Sequence, residues 1–172
     1  MLSDLLKTRK TAVLDRWFGL ILETYPPNTS KLLKAERDRF VNPVGQTIAK
    51  EIEAIYGELI GGMSSDRISE SLENMIRIRS VQDFSPSQAV LFVHSLKKAI
   101  KDELAGEMRG ADMFEEWLTL ESNIDHLTLR AFDIFMNCRE KICEIRIHEM
   151  ENQRDGALRL MARSGVIPDE HH

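Results

Sequence analysis

At 172 residues the chain is long enough for one domain with a substantial core, and a second domain would be crowded. Its 42% hydrophobic and 30% charged composition is that of a soluble globular protein, and a formal net charge of -5 gives no electrostatic reason to expect nucleic acid or an anionic membrane as partner. No apolar run approaches the roughly 18 to 20 residues of a membrane span, and residues 1–10 lack the features of a signal peptide, so a cytoplasmic chain without membrane insertion is expected.

The first segment repeats apolar residues at Leu5, Leu6, Val13, Trp17, Leu20 and Ile21 and stops at Tyr25-Pro26-Pro27, which reads as one amphipathic helix. Asn28, Thr29 and Ser30 offer caps for a short second helix through Leu32, Leu33 and Arg37. Asn42 can cap a third, with Pro43 at its first position, and Ile48, Ile52, Ile55, Tyr56, Leu59 and Ile60 carry that helix to Gly61-Gly62. A fourth starts at Ser64, Ser65 or Asp66. Its stripe is Ile68, Leu72, Met75 and Ile76, and the next position on that stripe is Arg79, which therefore points to the core. Arg77 falls on the opposite face, where Glu73 is its i, i+4 partner.

Ser85-Pro86-Ser87-Gln88 has the spacing of a capping box with a first-turn proline and opens a fifth helix that buries Ala89, Val93, Leu96 and Ile100. Asp112 with Glu115 opens a sixth and much longer one. On it Trp117, Leu120, Ile124, Leu127, Ala131, Ile134 and Cys138 alternate steps of three and four, the spacing of a coiled-coil seam. A second stripe, Leu129, Phe132, Met136, Cys143, Ile147 and Met150, runs beside it. The expected fold class is all-α, a single six-helix bundle with a long C-terminal helix over residues 1–155, followed by a tail, 156–172, of one or two helical turns and partial disorder.

A buried guanidinium keeps its charge and has five donors to satisfy, so Arg79 is expected to tie a helix end to its neighbours, with Asp83 and free helix-end carbonyls as the nearest acceptors. Catalytic machinery is not apparent. His94, His126 and His148 lie on polar faces and His171 and His172 in the tail, which argues against a haem or metal ligand. Cys138 and Cys143 point about 140° apart on a helix and match no zinc pattern. No Gly-rich phosphate loop, nucleophile elbow or zinc-protease motif is present, so no cofactor, no metal and no enzymatic activity are expected.

Three stretches together resemble the N-terminal domain of RsbRD-type proteins, the RsbT co-antagonists of bacterial stress signalling. They are Trp17 with Ile21-Leu22-Glu23-Thr24-Tyr25-Pro26, then Asp38-Arg39-Phe40-Val41-Asn42-Pro43-Val44-Gly45, then Arg77-Ile78-Arg79-Ser80-Val81-Gln82-Asp83-Phe84 with Ser85-Pro86-Ser87. The resemblance covers residues 5 to 150 and implies an all-helical sensory module, globin-like and haem-free, that dimerises. It also implies a STAS output domain or kinase after the last helix; about 20 residues follow Met150 here, so a stand-alone regulatory or adaptor protein is expected.

Two surfaces are candidates for function. The seam from Trp117 to Cys138 is the expected homodimer contact, leaving the charged end with Glu140, Lys141, Glu144, Arg146, Glu149 and Glu151 for a protein partner. A pocket among Trp17, Phe40, Tyr56, Phe92 and Trp117 is the alternative, for a small ligand or apolar cofactor.

Overall fold

The computed structural model describes residues 1–35, 42–62, 65–108 and 110–165, and among these there are seven α-helices and no strand. The first expected helix is two, α1 (Leu2–Thr8) and α2 (Lys10–Leu22), interrupted at Arg9 with φ -95° and ψ 11°. Arg9 and Lys10 occupy the turn of the stripe between the buried Leu6 and Val13. Their charges pair with Glu107 and Glu53 instead of entering the core, so no apolar side chain holds that turn.

After α3 (Pro27–Ala35) comes α4 (Pro43–Gly61), which begins as its sequence implies. The Asn42 side chain accepts from Gly45 N–H at 2.8 Å and donates to the Leu33 carbonyl at 2.8 Å, joining α3 to α4. A Cβ at position 45 would overlap that Asn42 amide, which explains the glycine. Gly62, at φ 112°, ends α4 in the left-handed conformation that glycine adopts without strain.

The capping box at Ser85 is complete, with Gln88 N–H donating to the Ser85 hydroxyl and Ser85 N–H to the Gln88 side chain, so α5 (Ser65–Ser80) is separated cleanly from α6 (Pro86–Leu104). α2 packs mainly on α6, and α4 on α5. Buried polar tips are satisfied across these layers. Trp17 Nε1 donates to the Phe92 carbonyl at 2.6 Å, and Tyr56 Oη to the Leu6 carbonyl at 3.0 Å.

The last helix, α7 (Ala111–Arg163), passes through two compact units, residues 1–136 and 137–172. In the first unit it buries Trp117, Leu120, Ile124, Leu127, Ala131 and Phe135. Leu2 N–H donates to Glu116 at 2.7 Å, and Lys97 pairs with Asp125 at 2.7 Å. In the second unit the helix continues through Asp155-Gly156 to Arg163, so the expected boundary at residue 155 does not interrupt it. Its side chains are mostly exposed there.

Candidate functional site

Arg79 is the centre of the most unusual side-chain cluster in the first unit. It has 0% exposure, as the stripe through Met75 and Ile76 requires, and it sits where α5 ends against the end of α2 and the start of α6. Nη2 donates to the Thr24 hydroxyl at 3.0 Å and the Gln88 carbonyl at 3.1 Å, while Nη1 lies 3.5 Å from the Tyr25 hydroxyl. The guanidinium stacks over the Phe84 ring at 4.1 Å and faces the rings of Tyr25 and Phe92 at 5.3 and 5.8 Å.

No carboxylate pairs with Arg79 among the described residues, and this corrects the expected partnership with Asp83. α5 ends at Ser80 and the chain turns over 81–83, so Asp83 is not one helical turn beyond Arg79 and is exposed. Burial lowers the pKa of the Arg79 guanidinium, partly offset by the Tyr25 hydroxyl, and an arginine remains charged under such a shift. Burial likewise raises the Tyr25 phenol, against the pull of Arg79. Two buried atoms in this cluster have no hydrogen-bond partner, Arg79 Nε and Gln82 Oε1. Beside them lies a cleft of about 460 Å³, lined by Thr24, Tyr25, Gln82, Asp83, Phe84 and Gln88 together with Pro26 and Thr29.

The aromatic pocket is not formed as expected. Trp17, Tyr56, Phe92 and Trp117 are buried in the packed core, where the polar tips of Trp17 and Tyr56 are already bonded to backbone carbonyls; Phe40 lies outside the described residues. The described clefts are lined by other side chains.

The seam is corrected too. Trp117, Leu120, Ile124, Leu127 and Ala131 are buried inside the chain's own first unit and cannot face a second copy, while Ile134 and Cys138 are half-buried. Beyond Ala131 the buried position is Phe135, because a straight helix repeats at 3.6 residues and drifts from the 3.5 that a coiled-coil seam requires. The second stripe is the open one. Leu129 is 65% and Phe132 41% exposed in the first unit, Ile147 53% and Met150 61% in the second. His94, His126 and His148 are exposed.

The model of the RsbT co-antagonist protein rsbRD N-terminal domain matches residues 11–150. The chain belongs to this family. Two of the three stretches that carry the resemblance meet at the Arg79 cluster, one supplying Thr24 and Tyr25 and the other Arg79, Gln82 and Phe84. An uncharacterized protein of Archaeoglobus fulgidus is similar to this chain, with 25% identity over 140 residues, 81% of this chain and 83% of the relative. No solved structure matches. Among the described residues no helix is long and apolar enough to cross a membrane, and no cluster of His, Cys, Asp and Glu could hold a metal ion.

Tyr25 and Phe84 are the site residues that sequence reasoning missed. Part of the signal was available, since both are aromatic and stand between helices, Tyr25 next to Pro26 and Phe84 two residues before Pro86, and ring faces can hold a guanidinium; nothing in the sequence linked Tyr25 to Arg79.

Proposed function

We propose that the chain is a non-catalytic regulatory module of RsbT co-antagonist type, acting as a homodimer that passes a signal to a protein partner. The observation that carries this reading is the apolar stripe left open on α7 in the second unit. Cys143, Ile147, Met150, Ala157 and Met161 follow each other by steps of four, three, seven and four, which are the d and a positions of a heptad with Arg154 at the intervening a.

The flanking charges select an orientation. Arg139 and Arg146 fall at g positions, and Glu144 and Glu151 at the e positions that follow. In a parallel pair each arginine meets a glutamate of the other copy. In an antiparallel pair g faces g and e faces e, which opposes like charges. A parallel pair therefore fits the sequence of this segment. A protein partner would take the outer side, where Ile145 is 60% exposed between Lys141, His148 and Glu149.

Charge exchange tests the reading. Arg146→Glu should weaken the dimer, because it places glutamate opposite Glu151 of the other copy, and adding Glu151→Arg should restore it. A double variant no better than the single one would remove the parallel pairing.

A further inference from the structure

We propose that the cleft beside Arg79 is a binding site for a small carboxylate of the 2-hydroxy acid type, which neutralises the buried guanidinium. Arg79 is fully buried, and its partners are hydroxyls, a carbonyl and aromatic faces, none of which carries a balancing negative charge. A buried cation without a counter-ion is an incomplete arrangement that an anion would complete.

The geometry says where that anion goes. Thr24, Tyr25, Phe84 and Gln88, which hold the guanidinium, also line the cleft, so the charge lies directly behind its wall. The one guanidinium nitrogen without a partner is Nε, a donor, and the other buried atom without a partner is Gln82 Oε1, an acceptor, on a residue that lines the cleft. A carboxylate oxygen can accept from the first, and a neighbouring hydroxyl can donate to the second. A volume of about 460 Å³ suits a small organic acid, and the Tyr25 and Phe84 rings supply apolar walls for its carbon skeleton. α3 and α6 begin at this cleft while α2 and α5 end beside it, so the helix dipoles largely offset one another and the guanidinium itself supplies the positive field.

Asp83 also lines the cleft and is exposed, so a second negative charge on the ligand would be repelled and a monoanion is preferred over a dianion. Since Arg79 has no exposed surface, binding requires Gln82 and Phe84 to move. Both follow the end of α5, on the turn that joins it to α6, which gives occupancy of the cleft a route to the helix packing. The site deepens the sensory reading above. Direct binding tests the site and the association state tests the module, so either can fail alone.

The experiment is titration of the full chain with lactate, acetate, sulfate and chloride at equal ionic strength, followed by calorimetry and thermal unfolding. Lactate should bind saturably and raise Tm by about 4 °C at ten times its Kd. Acetate, lacking the hydroxyl and the carbon that bears it, should bind at least tenfold more weakly, and sulfate should act no more strongly than chloride. Gln82→Glu supplies a carboxylate from within the chain; it should raise Tm without ligand and abolish the lactate response. Asp83→Asn, at an exposed position, should fold normally and bind lactate severalfold more tightly. The proposal is overturned by lactate indistinguishable from chloride, by sulfate binding more tightly than lactate, by a Gln82→Glu chain that still responds, or by an unchanged affinity in Asp83→Asn.

Discussion

Replacing Arg79 separates the two things it contributes, volume and charge. Arg79→Ala removes two buried methylenes, worth about 1.6 kcal/mol at roughly 0.8 each. It also removes the stacking on Phe84, worth about 1 kcal/mol, and leaves a cavity where the guanidinium was. A packing loss of roughly 3 to 4 kcal/mol follows, before the relief of the cation's desolvation that any uncharged replacement shares.

Arg79→Met keeps most of the volume and deletes the charge. Its polar neighbours are left little worse off. The Thr24 hydroxyl already donates to the Ile21 carbonyl at 2.6 Å, and the Tyr25 contact is long at 3.5 Å. The Gln88 carbonyl sits in the first turn of α6, where it accepts an intrahelical bond. Against these small losses stands relief of the desolvation of an uncompensated cation, several kcal/mol in general. Arg79→Met should therefore lie within about 1 kcal/mol of the parent, or above it, and at least 2 kcal/mol above Arg79→Ala. Urea unfolding followed by circular dichroism measures both. If Met costs as much as Ala, the hydrogen bonds to Thr24, Tyr25 and Gln88 hold the junction and the balance drawn here is wrong.

Ser85→Ala, which removes the capping box of α6, should cost about 1 kcal/mol in the same unfolding assay. Gly45→Ala forces a methyl group into the Asn42 amide and should cost about 2 kcal/mol, more than an alanine placed in a helix normally does. The Asp102 carboxyl is held below the usual carboxylate range by its hydrogen bonds to Arg16 and then to Lys98. Its folded value thus lies below its unfolded one, so its contribution is complete above about pH 4 and disappears as pH falls through the lowered value. Asp102→Asn should flatten that acid limb of a Tm against pH curve, and an unchanged limb would show that the Arg16 pair contributes nothing.

What the sequence made legible was local. The cap at Ser85 and the cap at Asn42 involve residues three apart, and chain geometry alone brings their groups together. The burial of Arg79 was equally visible, because Ile68, Leu72, Met75 and Ile76 define the stripe on which it falls. Its partners were not. Thr24 and Tyr25 are 55 and 54 residues away, and no periodicity links a threonine at the end of α2 to an arginine at the end of α5. Asp83 was chosen by proximity in sequence, a measure that fails once the helix has ended.

The long helix shows a different limit. Both apolar stripes were legible, but which one the chain covers with its own core depends on where α1, α4 and α6 lie, and that is a tertiary fact. The 3.5-residue seam through Ile134 and Cys138 gave way to a 3.6-residue burial pattern through Phe135. The aromatic pocket failed for a related reason. Trp17, Tyr56, Phe92 and Trp117 are large enough to fill the space between helices, and they fill it.

The central claim, that the open stripe of α7 joins two copies, is tested most directly by sedimentation equilibrium of the chain between about 1 and 50 µM, a range suited to an interface of modest size. The account predicts a species of twice the 19.8 kDa chain mass that reverts to 19.8 kDa in Met150→Glu. A single 19.8 kDa species across the whole range would contradict it.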